Sequence, residues 1–161
     1  MRLSASVKDY VGRTVDYLAF DDARASGDTL LTQALVQPGE SGALITGIEK
    51  LVQRFLVELL TEQGSLDYQL SRGTFFMTAL RAGTVRTSQE LFSLFSSAEV
   101  DVRDNLKLEE DFANDPPDER YARAELISAS LFGDSATLNI RIDSVAGESR
   151  TVIYPLRVTA I

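Results

Sequence analysis

The sequence contains neither cysteine nor histidine, and each absence excludes a kind of chemistry. Without cysteine the chain forms no disulfide, offers no thiolate nucleophile and builds no zinc–sulfur site. Without histidine it lacks the commonest general base, proton shuttle and metal ligand, so a Ser-His-Asp or Cys-His arrangement is impossible. Because most hydrolase mechanisms depend on one of these two residues, the composition favours a protein that is not an enzyme.

Long apolar runs are missing as well. No stretch approaches the roughly 18 apolar residues that a membrane span needs, and residues 1–8 lack the apolar centre of a signal peptide. The 161 residues, 44% of them hydrophobic, are enough for one domain with a buried core. We therefore expect a protein that is made in the cytoplasm and has no membrane partner.

Positive charge is scarce. The formal net charge is −8, which repels phosphate backbones and argues against nucleic acid as a partner. Nine acidic residues lie between Glu99 and Glu119, opposed only by Arg103 and Lys107. This pattern is typical of a solvated helix face followed by a loop, and the alternative is a docking patch for a basic partner.

The acidic stretch also holds candidates for a catalytic or metal site. A glycosidase needs two carboxylates that flank one cleft, but nothing in the spacing selects a pair. The calcium-binding EF-hand pattern is not met either, because residues 101–111 lack its glycine and its alternating ligands. We therefore predict no catalytic residue, metal, cofactor or small-molecule substrate. The carboxylates considered are Glu109, Glu110, Asp111 and Glu119.

The clearest local pattern is an amphipathic helix. Thr46 and Glu49 have capping-box spacing at its start, and Gly64 lies where a C-terminal cap glycine belongs. Burial of its apolar stripe, at about 1.5–3 kcal/mol for each side chain, makes this helix the centre of the predicted core. The stripe comprises Ile48, Leu51, Val52, Phe55, Leu56, Leu59 and Leu60.

Shorter helices are predicted to follow. The apolar run at 74–80 predicts the first of them. Thr87 and Glu90 have capping-box spacing and open a second helix, and Ser96 and Glu99 repeat that spacing before a third helical segment. The prolines at the end of the acidic stretch terminate it, because proline cannot continue a helix.

The apolar period changes to two after these prolines. A strand is predicted at 121–131, and apolar and polar residues alternate over 136–142 and 152–160 around a short loop. This arrangement predicts an antiparallel hairpin. Pro155 marks the last strand as an edge, because proline cannot donate to a ladder. Core packing is predicted for Leu138, Ile140, Ile142, Val152, Tyr154 and Leu156.

Together these elements predict an α+β fold: an N-terminal extension, then the amphipathic core helix and shorter helices packed on a C-terminal antiparallel β-sheet or hairpin. Residues 1–40 are predicted to be an N-terminal extension or arm, and residues 41–161 a single α+β domain. Within the arm, residues 14–20 suit a strand, and residues 29–36 suit a strand or a short helix.

One spacing carries a family resemblance. Thr61 follows the core helix, Gly64 and Gly73 lie nine residues apart, and Arg72 precedes the second glycine. With the helices and terminal hairpin that follow, residues 41–161 resemble the gene-25-like family of baseplate wedge proteins. That family includes the sheath-initiating proteins of contractile phage tails and their relatives in type VI secretion.

The chain also departs from the family pattern. Leu66 and Leu70 stand where the family usually has arginine and proline. The Glu-Pro-Arg signature that usually joins the last helix to the sheet is rearranged here to Pro117-Asp118-Glu119-Arg120.

The resemblance implies a structural virion protein of the tail baseplate, with other baseplate wedge proteins and tail sheath subunits as partners. In such proteins the terminal hairpin offers an edge to which an arm of the first sheath ring adds by β-augmentation. We therefore expect partner contacts at Thr151, Ile153 and Arg157. The alternatives are another phage tail or virion adaptor without sheath contact, and a free regulatory or chaperone-like binding domain.

Overall fold

Helices precede the long C-terminal strands, as the sequence patterns predict. The computed structural model describes residues 15–17, 20–25, 28–33 and 44–157, with side chains at 15–16 and 44–157. The α+β class is confirmed. The helices are α1 (Ile48–Leu60), α2 (Phe76–Arg81) and α3 (Ser88–Phe112). The strands are β1 (Asp16–Tyr17), β2 (Phe20–Ala25), β3 (Asp28–Gln33), β4 (Leu44–Ile45), β5 (Tyr121–Phe132), β6 (Ser135–Ser144) and β7 (Ser149–Arg157).

The three C-terminal strands form an antiparallel meander that two N-terminal strands extend. The strand order is β2-β3-β7-β6-β5, and β1 pairs separately with β4. The β6–β7 ladder is regular from Ser135 opposite Arg157 to Asp143 opposite Ser149, which confirms the predicted hairpin. β3 runs parallel to β7. The prediction that the last strand is an edge is therefore wrong, because a strand from the other end of the chain lies beside it.

The helices pack on one face of the meander and form the core with it. Phe55 of α1 stacks on Tyr121 of β5, with ring centroids 5.9 Å apart. The rest of the α1 stripe is buried or partly buried, as predicted. The sheet contributes the predicted core residues Leu138, Ile140, Ile142, Val152 and Leu156, and Tyr154 is half-buried.

The acidic stretch begins in one long helix rather than in a separate helical segment. α3 runs without a break for 25 residues from the capping box of Thr87 and Glu90, which is confirmed. The second capping box is wrong, because the Ser96 hydroxyl donates back to the Phe92 carbonyl at 2.9 Å. Among the described residues, none of the three helices combines the length and apolar character of a transmembrane segment.

Both predicted caps of α1 are wrong as well. The N-cap residue is Gly47, and the Thr46 hydroxyl donates to Glu119 rather than accepting from a backbone N–H of the helix. The helix ends at Thr61 in extended conformation, so Gly64 belongs to the next turn, where its φ is 82°. The start of α1 is therefore capped by a carboxylate distant in sequence.

The loop after α1 is pinned at both ends. The Thr74 N–H donates to the Thr61 carbonyl at 2.8 Å, and the Gln63 N–H donates to the Thr74 carbonyl at 3.1 Å. Gly73 has a φ of 86°, and a Cβ there would lie 2.4 Å from the Thr61 carbonyl oxygen. Only glycine therefore lets the two ends of the loop approach this closely.

The two loop glycines provide a matched pair of variants. We expect Gly64→Ala to destabilise the protein by about 1 kcal/mol, since the residue has positive φ but open space around it. Gly73→Ala adds a backbone clash, and we expect a loss of about 3–4 kcal/mol. Urea unfolding followed by circular dichroism measures both changes. Equal losses would contradict the close approach at Gly73.

Candidate partner-binding edge

The three residues predicted to contact a partner all lie on β7. Thr151, Ile153 and Arg157 alternate with the buried Val152 and Leu156, so they lie on the face of the sheet away from the helices. Thr151 and Arg157 are exposed, and Ile153 is half-buried. The structure thus brings the three residues together on one strand and one face, and their role in binding stays a prediction.

The long side of β7 that faces away from β6 is covered by the β2–β3 hairpin. Leu30 of β3 lies opposite Ile153 in parallel register. On the other side, the same residue of β7 pairs with Asn139 of β6. Sequence reasoning missed this contact, because a pairing between strands at opposite ends of a chain leaves no local pattern. This side of β7 therefore already pairs with a strand that is distant in sequence.

The hairpin is held close to the domain by the β1–β4 pair. Asp16 lies opposite Ile45 and Tyr17 opposite Leu44, and the Gln53 amide donates to the Asp16 carboxylate at 2.8 Å. The β1–β4 pair therefore brings together the two chain segments that flank the hairpin. The strand expected over residues 14–20 overlaps β1, whereas no sequence signal indicated β4.

At the opposite edge of the described sheet, β5 is irregular. Its register against β6 shifts between Tyr121 and Arg123 and again between Leu126 and Ser128, so β5 carries an extra residue at each place. Such bulges twist an edge strand and interrupt pairing with a further strand. β5 is therefore poorly suited to accept a partner strand, whereas the β6–β7 ladder is regular.

A carboxylate ties the three strands of the meander together on the open face. Asp143 of β6 accepts from Arg123 of β5 at 2.6 Å and from Arg141 at 2.9 Å. Burial would raise its pKa, but the Ser149 hydroxyl and the two arginines lower the pKa of Asp143 to about 2. The meander thus carries a charged crosslink close to the loop end of β7.

A second carboxylate, that of the fully buried Glu119, holds the start of α1 next to β4, where the β2–β3 hairpin is attached. Glu119 accepts from the Thr46 hydroxyl at 2.6 Å, from the Gly47 N–H at 3.0 Å and from the Lys50 ammonium at 2.8 Å. Burial would raise its pKa, but these donors lower the pKa of Glu119 below its usual range. A negative charge at the start of α1 also suits the helix dipole.

The segment around Glu119 reaches the β6–β7 turn as well. The Val145 N–H donates to the Arg120 carbonyl at 3.0 Å, and the Ala146 N–H donates to the Pro117 carbonyl at 3.1 Å. The rearranged signature Pro117–Arg120 therefore joins the start of α1 to the turn that leads into β7. Glu119, the glutamate of this signature, therefore has a structural role inside the domain.

The loop with the spaced glycines is supported in a similar way. The buried Glu58 accepts from the Gly73 N–H at 2.8 Å, from Arg72 at 2.7 Å and from Asn105 of α3 at 2.6 Å. Arg72 also pairs with Glu109. Sequence reasoning did not single out Glu58, because it lies on the helix face that the apolar stripe marked as polar and exposed.

The candidate carboxylates of the acidic stretch do not share one environment. Glu110 is buried, accepts from the Tyr121 N–H at 2.7 Å, and has its pKa raised by burial. Glu109 pairs with Arg54 and Arg72, and Glu119 is buried at the start of α1. Asp111 is exposed. In the described part of the chain, no cluster of carboxylates has the arrangement of a metal site.

Comparisons with known proteins assign no family to the chain. No protein-family model matches it, and no curated protein matches it either. The gene-25-like resemblance therefore stays a prediction that rests on the residues quoted above.

The buried ion pair predicts a large effect of Glu119→Ala. That change leaves the Lys50 ammonium, itself 8% exposed, without this carboxylate, and we expect a loss of about 3–5 kcal/mol in urea unfolding. Glu119→Gln keeps an acceptor for Thr46 and Gly47 and is expected to lose less. The exposed Glu125→Ala is the control, within about 0.5 kcal/mol of wild type. A loss below 1 kcal/mol for Glu119→Ala would refute the anchoring role.

The depressed pKa of Asp143 predicts a pH-dependent effect of Asp143→Asn. The folded-state pKa of about 2 lies below the ordinary value of 3.8, so the contribution is complete above about pH 5 and is lost as the pH falls through 2. Because both arginines are partly exposed, we expect the variant to be less stable by about 1 kcal/mol at pH 7. Urea midpoints measured between about pH 2 and pH 7 should converge at the acid end. A difference that stays constant with pH would contradict this.

Proposed function

We propose that this protein is a structural wedge component of a contractile-tail baseplate, which links the baseplate to the first sheath ring by β-strand augmentation. The observation that carries the proposal is the side of β7 that faces away from β6, on which β3 already lies as an added strand. Main-chain hydrogen bonds supply the affinity of such an addition, and alternate side chains fix its register. Such a protein has its place in the tail baseplate of the virion and carries out no catalysis.

The residues that carry the family resemblance support the proposal through their structural roles. Gly73 allows the close approach of the two ends of its loop. Glu119 of the rearranged signature anchors α1, and the segment 117–120 bonds to the β6–β7 turn. The quoted motifs therefore lie in one connected support for the terminal hairpin rather than at scattered surface positions.

A second exposed surface supports contacts with other wedge proteins. Leu108 and Phe112 lie one turn apart on α3 and are 59% and 87% exposed. Asn105, on the same side of the helix, donates to the Ser71 carbonyl of the loop that carries the exposed Leu70. Exposed apolar side chains of this kind mark protein interaction surfaces, and this surface lies on the helical layer, away from β7.

The proposal is tested by co-expression of the chain with the sheath subunit and wedge proteins of the same tail. Deletion of β7 is unsuitable, because it removes Val152 and Leu156 from the core. The variant is Ile153→Asp on β7, and its control is Ile127→Asp, at an exposed bulge of β5. We expect Ile153→Asp to weaken recovery of the sheath subunit at least tenfold, since a charge disfavours strand register at that position.

The pattern of recovery decides between the functions. Recovery of both partners by wild type, with loss of the sheath alone in Ile153→Asp, supports the initiator function. Recovery of wedge proteins without the sheath supports a virion adaptor instead. If no tail protein is recovered by wild type, the baseplate function is refuted.

A further inference from the structure

We propose that the β2–β3 hairpin is a removable cover of β7, and that an extended strand of a partner protein takes its place there. The identity of the partner, a sheath subunit, rests on the proposed function. The removal of the hairpin is argued from the structure of this chain alone.

The hairpin has an attachment that does not depend on β7. The β1–β4 pair joins the two chain segments that flank the hairpin, with Asp16 opposite Ile45 and Tyr17 opposite Leu44. The hairpin can therefore leave β7 and remain tethered at Tyr17 and Leu44.

β7 is held in place by contacts other than those with β3. β6 pairs with β7 along the whole ladder, and Val152 and Leu156 are buried against the helices. The turn before β7 is bonded to Pro117 and Arg120. Because these contacts are independent of β3, the strand keeps its position and shape when the hairpin leaves.

The two sides of the meander differ in the regularity of their outer strands. Two bulges interrupt the pairing of β5 with β6, and they are a fixed part of the strand. β7 has no such irregularity against β6, and in the described structure it is shielded by a separate segment. An exposed regular edge invites aggregation, so a regular edge with a detachable cover is the arrangement expected of a strand that has to accept a partner.

β3 and β7 also differ in length. β3 has six residues and β7 has nine. In the part of the chain that the structure describes, an incoming strand as long as β7 therefore has main-chain groups within reach beyond the span of β3. Since pairing energy grows with the number of ladder bonds, a longer partner strand is favoured over the cover.

The absence of cysteine allows a clean disulfide test in the full-length chain. Leu30→Cys with Ile153→Cys places two thiols on neighbouring strands in register, at a spacing that a disulfide spans. Tyr17→Cys with Leu44→Cys is the matched control, because it locks the β1–β4 pair and leaves the hairpin free. Each variant is compared oxidised and reduced.

Amide exchange followed by NMR measures whether the cover opens. In the reduced chain, we expect the β7 amides that point away from β6 to exchange at least tenfold faster than those that point toward it. Oxidation of the Leu30–Ile153 pair should abolish that difference, and oxidation of the Tyr17–Leu44 pair should leave it unchanged. Equally slow exchange of both sets in the reduced chain overturns the proposal. Failure of the Leu30–Ile153 pair to oxidise, under conditions that oxidise the control, also overturns it.

Binding of the purified sheath subunit then tests what replaces the hairpin. We expect oxidised Leu30→Cys/Ile153→Cys to bind at least tenfold more weakly than its reduced form, with recovery on addition of reductant, while the control pair binds equally in both states. Equal binding by the locked chain overturns the cover, because the sheath subunit then binds at a surface other than the covered side of β7, and it leaves only sheath binding itself standing. An opening cover with no sheath binding in either state refutes the baseplate function and retains the removable hairpin.

Discussion

The buried carboxylate of Glu119 is the contact on which the arrangement of the molecule depends. Its donors lie at the start of α1, immediately after β4, and β4 holds β1 at the root of the hairpin. Its own backbone segment bonds to the β6–β7 turn. Because an isolated buried charge is unfavourable by several kcal/mol, the carboxylate is tolerated only with its donors in place. One ion pair therefore couples the root of the N-terminal hairpin to the turn that begins β7.

The chain protects the two sides of its C-terminal meander by different means. On β5, two extra residues disrupt the ladder, and an incoming strand finds no regular row of main-chain groups. On β7, the ladder with β6 is regular, and the cluster of Asp143, Arg123 and Arg141 reaches β7 at Ser149, whose hydroxyl accepts from Arg141 at 3.2 Å. Such rigidity favours strand addition, since a preformed edge loses little entropy on binding. The charged crosslink and the β2–β3 hairpin thus serve the same strand, one by fixing it and the other by covering it.

Local periodicity predicted most of the fold, and contacts distant in sequence account for what it missed. The α1 stripe, the β6–β7 alternation and the cap of Thr87 and Glu90 follow from neighbours within a few residues. The same capping spacing failed at Ser96, which already lies inside a helix and bonds to the preceding turn. The capping spacing also failed at Thr46, because the Thr46 hydroxyl donates to the carboxylate of Glu119, which is distant in sequence. The prediction that β7 is an edge strand failed for the same reason, since no feature of the sequence indicates that β3 pairs with β7.

A covered edge also changes which partners can bind. A cover that is closed about thirtyfold more often than open corresponds to roughly 2 kcal/mol and lowers the apparent affinity of every incoming strand by the same factor. Each net hydrogen bond contributes about 0.5–1.5 kcal/mol. A partner strand no longer than β3 forms about as many ladder bonds with β7 as β3 does, so its binding gains little free energy over the covered state. A strand that uses all nine residues of β7 gains additional ladder bonds. In this proposal the hairpin selects for length and register, which a bare edge does not.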